Sequence, residues 1–176
     1  MFPSLLQTLI AKSCRLYNVF GSGASHAVHA QFIAQSSMFN KGRRVGLLRG
    51  ASARFAIWFY AMMRILRQKD VLRSTIHTQK FLDLPKNETM KAAVKDISND
   101  VFFRALFVLL RAVFPALRAL RFTDSNTPMM DKIHYFTIRT QLALEKSVSH
   151  LNDEEMFGKF VRGDDNLEAE IGEVWG

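Results

Sequence analysis

The segment from Val101 to Leu120, VFFRALFVLLRAVFPALRAL, constrains the fold more than any other part of the chain. Its length suits a bilayer-spanning helix. Arg104, Arg111 and Arg118 interrupt it at intervals of seven residues. An arginine near a bilayer centre costs roughly 2.5–3.5 kcal/mol on insertion scales. At about 100° per residue, positions seven apart share one helix face. The arginines therefore form a polar stripe on a helix that is otherwise buried. Such a helix needs apolar neighbours, so the segment reads as a core element of a helical protein and not as a membrane span. Pro115 lies inside it and is expected to kink it, because its ring displaces a backbone hydrogen bond.

The neighbours are also written at helical period. Pro3 to Phe20 is apolar at Leu5, Leu6, Leu9, Ile10, Leu16, Val19 and Phe20, and Gly21-Ser22-Gly23 ends it. A second helix is expected from His26 to Met38, and Asn40 to Gly50 is a basic loop with three glycines. Ala51 to about Phe81 reads as one long helix. Phe55, Phe59, Met62 and Leu66 share a face, and Trp58, Ile65 and Leu72 widen it. Arg64, Arg67, Lys69 and Arg73 fall on its solvent side by this reading.

Leu84 to Asn87 breaks the chain, and Asn87 caps a helix from Glu88 to Ile97. Glu88 then sits in the first turn, where the helix dipole favours negative charge. Ser98-Asn99-Asp100 caps the arginine-striped helix. Thr123 to Thr127 is a turn, with Thr127 as N-cap and Pro128 at the first position of a helix running to about His150. There is no internal repeat and no alternating strand pattern. The fold class is all-α, an array of about five to six helices.

Charge divides the chain. Met1 to Leu82 holds 12 Lys and Arg against one acid, Asp70. Leu151 to Gly176 holds two bases and eight acids. The acidic segment cannot bury enough apolar surface to order itself, so it is expected to be a flexible tail. A basic front half suits phosphate backbones as well as a solvated surface. With Cys14 the single cysteine, an intramolecular disulfide is impossible. A reduced compartment, nuclear or cytoplasmic, is therefore expected. The N-terminus lacks the basic start and small-residue cleavage site of a signal peptide.

Five landmarks stand in a recognisable order. A basic loop, Arg43-Arg44 to Arg49, leads to Ala53-Arg54-Phe55, which opens a helix closing at Leu72-Arg73. Phe102-Phe103 opens an apolar helix with internal Pro115. Leu120-Arg121, Asp124-Ser125 and Pro128 follow. This order resembles the helical insertion of the ribonuclease-H-like catalytic domain in hAT-superfamily transposases. There, T-R-F opens the first long helix, F-W the second, and L-R-x-x-D-S precedes a proline-started helix. Ala53 replaces the threonine and Phe103 the tryptophan. The resemblance covers roughly Lys41 to Ser149 and is weaker before it. It implies an N-terminal helical flank at 1–40, an insertion-type domain at 41–150, and the acidic tail at 151–176.

The resemblance also implies what is missing. Family chemistry requires two aspartates and a glutamate holding divalent metal such as Mg, which activates the attacking oxygen. This chain has no matching strand with an aspartate upstream and no Ser-x-x-Glu-Arg downstream. The family's Cys-x-x-His is absent as well, since Tyr17 stands three after Cys14. The expectation is a truncated or degenerate transposase fragment that is not an enzyme and holds no cofactor. Its partners would be DNA or the missing parts of a longer transposase, with no small-molecule substrate. A helical protein-interaction module derived from a transposable element is the alternative.

Arg43, Arg44, Arg49 and Arg54 are the candidate phosphate contacts, against the plainer reading of a solvated basic loop. Trp58 and Phe59 have the chemistry to stack on a base, but their helical spacing favours core packing. Arg104, Arg111 and Arg118 offer a phosphate-tracking ridge or a solvent-facing stripe. Phe55, Leu120, Arg121, Asp124 and Pro128 are structural signature positions, Asp124 being a turn carboxylate before it is a metal ligand. Cys14, His26 and His29 have poor spacing for zinc. Asp164-Asp165 and the glutamates after them lack the glycine and alternating ligands of a calcium loop.

Overall fold

The structure is a computed structural model that describes residues 2–50 and 55–123, with helical positions at His134, Thr137, Ile138, Gln141, Leu142 and Glu145. Among the described residues there are seven helices and no strand: α1 (Phe2–Phe20), α2 (His26–Phe39), α3 (Phe55–Arg67), α4 (Lys69–Ile76), α5 (Gln79–Leu82), α6 (Glu88–Ser98) and α7 (Asp100–Thr123). The chain divides into two compact units, Met1–Leu106 and Phe107–Gly176. No described helix is long and apolar enough to cross a membrane.

In the first unit α1 packs on α2, α3 and α6, while α4 packs on α2, α3, α5 and α6. The flank of residues 1–40 thus shares a core with the helices that follow. That core centres on Phe20, Phe32 and Phe81, all fully buried. Phe20 stacks on Phe81 with centroids 5.8 Å apart and meets Phe32 at 6.1 Å. Both distances lie in the favourable range for aromatic pairs. Leu9 and Leu16 of α1, Met62, Ile65 and Leu66 of α3, and Ala93 and Ile97 of α6 complete it.

The long helix expected from Ala51 to Phe81 is three helices. The first break is at Gln68, where the backbone opens to φ −95° and ψ 17°. Gln68 is buried, and its Oε1 accepts from Asn40 Nδ2 at 3.3 Å. A buried amide must find partners, and this one finds its partner across the fold. The second break follows Ile76. There the Thr78 hydroxyl caps α5 by accepting from the Phe81 amide, and it donates to the Thr75 carbonyl at 2.8 Å. The expected cap at Asn87 is present, with Oδ1 accepting from the Met90 amide at 2.8 Å. Asn99 Oδ1 accepts from the Val101 amide at the start of α7.

Lys69 and Arg73, expected on a solvated face, instead close on Asp100 at 2.9 and 2.8 Å. Both cations also lie over the Phe103 ring, at 5.4 and 5.6 Å from its centroid. Lys69 is buried, because its stem covers apolar surface while its ammonium reaches the carboxylate. Arg64 and Arg67 are half-buried. The Lys69 hydrogen bond, against a smaller opposing effect of desolvation, holds the Asp100 carboxyl below its ordinary range.

A depressed carboxylate stabilises the fold above its unfolded pKa and loses that effect as pH falls through the folded value. Asp100 is 66% exposed, so screening keeps the effect modest. Asp100→Asn is expected to lower stability near neutrality. The difference from the parent should vanish as pH drops well below about 4. Urea titrations at neutral and acid pH measure this, and a difference that grew on acidification would contradict it.

The second unit starts within α7, where Phe107, Leu109, Leu110 and Leu117 are buried. The helix continues through Pro115 to Thr123 as one element. Leu120 and Arg121 belong to its last turns. Arg104 in the first unit and Arg111 in the second are each half-buried, so neither stands on an open face. His134, Thr137, Ile138, Gln141, Leu142 and Glu145 are helical and exposed, at spacings that share one helix face. Ala53, Arg54, Asp124, Ser125, the Thr127–Pro128 start and the acidic tail lie outside the described residues.

Candidate nucleic-acid interface

The basic loop begins where α2 ends. Gly42 N–H donates to the Ser37 carbonyl at 2.8 Å and Asn40 N–H to Ser36 at 2.9 Å. Lys41 between them has φ +52° and Gly42 φ +85°. This is a Schellman-type helix end, with Lys41 in the left-handed position that glycine more often fills. Glycine at 42 takes the second positive φ without a Cβ penalty.

The loop then folds back on α2. Ser36, fully buried, donates Oγ–H to the Val45 carbonyl at 2.8 Å and accepts from the Val45 amide at 3.0 Å. Asn40 Nδ2 adds bonds to the Ser36 carbonyl at 2.7 Å and to Gln68. Leu47 is buried two residues later, and the chain then passes the Trp58 ring at Gly50. A Cβ at Gly50 would overlap that ring, so the close approach requires glycine.

These anchors turn Arg43, Arg44 and Arg49 outward. All three are exposed, and none makes an ion pair among the described residues. The three therefore sit on one short, pinned loop of a single sign. Arg49 also lies within electrostatic reach of Cys14. Burial pushes the Cys14 thiol above its ordinary value, and the guanidinium partly opposes that shift. The fourth candidate, Arg54, lies outside the described residues.

Ser36→Ala would strip the Val45 amide and carbonyl of their partner. Each lost bond to a buried group costs on the order of 1–3 kcal/mol. The expected result is lower global stability together with faster hydrogen exchange at the Val45 amide. Unchanged exchange there would show that Ser36 does not hold the loop.

The other candidates distribute differently. Phe59 is buried in the core, and Trp58 is half-buried with its ring against the Gly50 backbone. Neither presents an open face for a base. Phe102 and Phe103, at the F-W position, are both buried, with centroids 5.2 Å apart. His29 Nδ1 meets the Phe20 carbonyl at 2.9 Å. Among the described residues no three His, Cys, Asp or Glu side chains converge in a metal-binding group.

Sequence reasoning missed a second cationic cluster. Lys12 and Arg15 of α1 close on Asp96 of α6 at 3.2 and 2.5 Å. Lys12 also lies over the Phe102 ring, 5.5 Å from its centroid. Together with Lys69 and Arg73 on Asp100, four cations surround two carboxylates at the corner between α6 and α7. Nothing local in the sequence marks these pairs, since Arg15 and Asp96 are 81 residues apart. Their geometry is that of a structural clasp, because each acid already occupies the donors a phosphate would use.

Comparison with protein-family models, with curated proteins and with solved structures returns no match for this chain.

Proposed function

We propose that the chain is a truncated or degenerate hAT-type transposase fragment that performs no catalysis and holds nucleic-acid phosphate without sequence preference. The observation that carries the binding half is the loop bearing Arg43, Arg44 and Arg49, exposed, unpaired among the described residues and pinned by Ser36 and Asn40. Guanidinium groups on a pre-organised loop lose little entropy on meeting phosphates. Among the described residues no base-reading element accompanies them, so affinity should be electrostatic and salt-sensitive. The family half rests on the ordered landmarks from Arg43 to Pro128. The non-catalytic half rests on the absent aspartates and Ser-x-x-Glu-Arg segment. In this reading the nucleus or cytoplasm is the site of action.

Binding of fluorescent duplex and hairpin DNA to the full chain tests this. Affinity should fall with added salt, with a log–log slope of about −3 if the three arginines each neutralise a phosphate. The triple variant Arg43→Ala, Arg44→Ala, Arg49→Ala should remove most of that slope and weaken binding at low salt. Absence of any shift at low salt, or an unchanged slope in the triple variant, removes the proposal. A nicking assay with magnesium should give no strand cleavage. Cleavage abolished by EDTA would overturn the non-catalytic reading.

A protein-interaction role is the second reading, and the exposed face of α2 favours it. Met38 there is 74% exposed.

A further inference from the structure

α2 carries no Lys, Arg, Asp or Glu, and apolar side chains stand on two of its faces. Val28, Phe32 and Ser36 turn one face into the core. His26, Ala30, Ala34 and Met38 recur every four residues on the opposite face, with Ile33 beside them. With Arg44 of the basic loop they line an open groove of about 590 Å³. His29 and Ser37 complete its floor. A helix with apolar side chains on two faces normally packs both of them. Here one side faces outward, and isolated chains seldom leave a contiguous apolar face without a binding role.

We propose that this groove receives the apolar face of an acidic amphipathic helix from a partner protein. The shape fits a helix, because Ala30 and Ala34 lie one turn apart and let another backbone approach closely. The recognition mode is a helix laid in a groove, anchored at successive turns. Charge selects the acidic sign. Arg44 borders the groove, Lys41 and Arg43 stand exposed beside it, and the first 69 residues contain no carboxylate. A second copy of the chain would bring the same cations face to face, which disfavours self-pairing. Phosphate backbones would find cations only at one end of an apolar floor. The inference rests on the protein-interaction reading and stands apart from DNA binding.

Fluorescence anisotropy of the full chain with a synthetic helical peptide, leucines at helical spacing flanked by glutamates, tests the proposal. Saturable binding is expected. Ala34→Glu and Ala34→Lys should each weaken it by about tenfold or more, since both block the groove floor whatever their charge. Arg44→Glu should weaken it too, and exchanging the peptide glutamates for lysines should restore binding to that variant. Circular dichroism matching the parent shows that the variants fold, as expected for substitutions at exposed positions. Arg49→Ala should reduce DNA affinity while leaving peptide affinity unchanged, which separates this surface from the nucleic-acid proposal. Lack of saturable binding, or binding by both Ala34 variants as tight as that of the parent, overturns it. Two further results would also overturn it: a concentration-dependent dimer abolished by Ala34→Glu, or DNA binding abolished by that variant. The first assigns the face to a second copy and the second to nucleic acid.

Discussion

Phe20→Ala is expected to destabilise the protein by about 3–5 kcal/mol. Phe20 is fully buried at the end of α1 and joins Phe32 of α2 to Phe81 of α5. Truncation removes the ring's transfer free energy and leaves a cavity between three helices. The neighbouring rings cannot fill it without leaving their rotamers. Domains of this size are stable by only about 5–15 kcal/mol, so the loss is a large fraction of the whole. Urea unfolding followed by circular dichroism measures it. Phe20→Leu retains most of the volume and should lose clearly less. A loss below about 1 kcal/mol in Phe20→Ala would show that the three rings do not form the centre of this core.

Asp96→Ala ranks second. Asp96 has a side chain only 8% exposed and accepts from both Lys12 and Arg15. Breaking a fully buried pair costs roughly 3–5 kcal/mol, because an uncompensated charge is left inside. Here the two cations are 27% and 34% exposed and can turn toward water. Screening therefore reduces the expected loss to about 2 kcal/mol. Lys12 would still be held over the Phe102 ring. Adding Lys12→Met and Arg15→Met to Asp96→Leu should recover much of the stability, since an apolar replacement removes both the charges and their desolvation cost. If the triple variant were less stable than Asp96→Ala alone, the clasp would be a net source of stability and not mainly a device that sets the α1–α6 register.

Local order was legible where the signal is local. The end of α1 before Gly21, the start of α2 at His26, the break at Pro85 and the cap at Asn87 all follow from side chains within a turn of the feature they specify. The core face of α3 was equally legible, since Phe59, Met62 and Leu66 repeat at helical period and are buried. The division of one long helix into three was not. Gln68 carries no helix-breaking signal of its own, and its reason for opening the backbone is a hydrogen bond to Asn40, 28 residues earlier. Lys69 and Arg73 misled for the same reason. On a helical wheel they look solvated, and only the approach of Asp100 and Phe103 supplies their partners.

The candidate sites divide along the same line. Clustering of Arg43, Arg44 and Arg49 can be read directly from their adjacency. Their outward direction cannot, because it depends on Ser36 clasping Val45 and on Leu47 turning inward. The groove on α2 left its trace in composition, as a helix without a charged residue between His26 and Phe39. Which half of that helix is buried was undecided until α1, α4 and α5 packed against the other side.

By itself the sequence determined that this protein is helical, where most of its helices begin and end, and that its first half is positive. Periodicity, caps and charge act over one or two turns, so a linear reading contains them. Tertiary structure alone decided which cations are clasped by Asp96 and Asp100, which are left to meet solvent, and which face of α2 is open. Those outcomes depend on contacts between residues tens of positions apart, whose free energies exist only once the helices have packed.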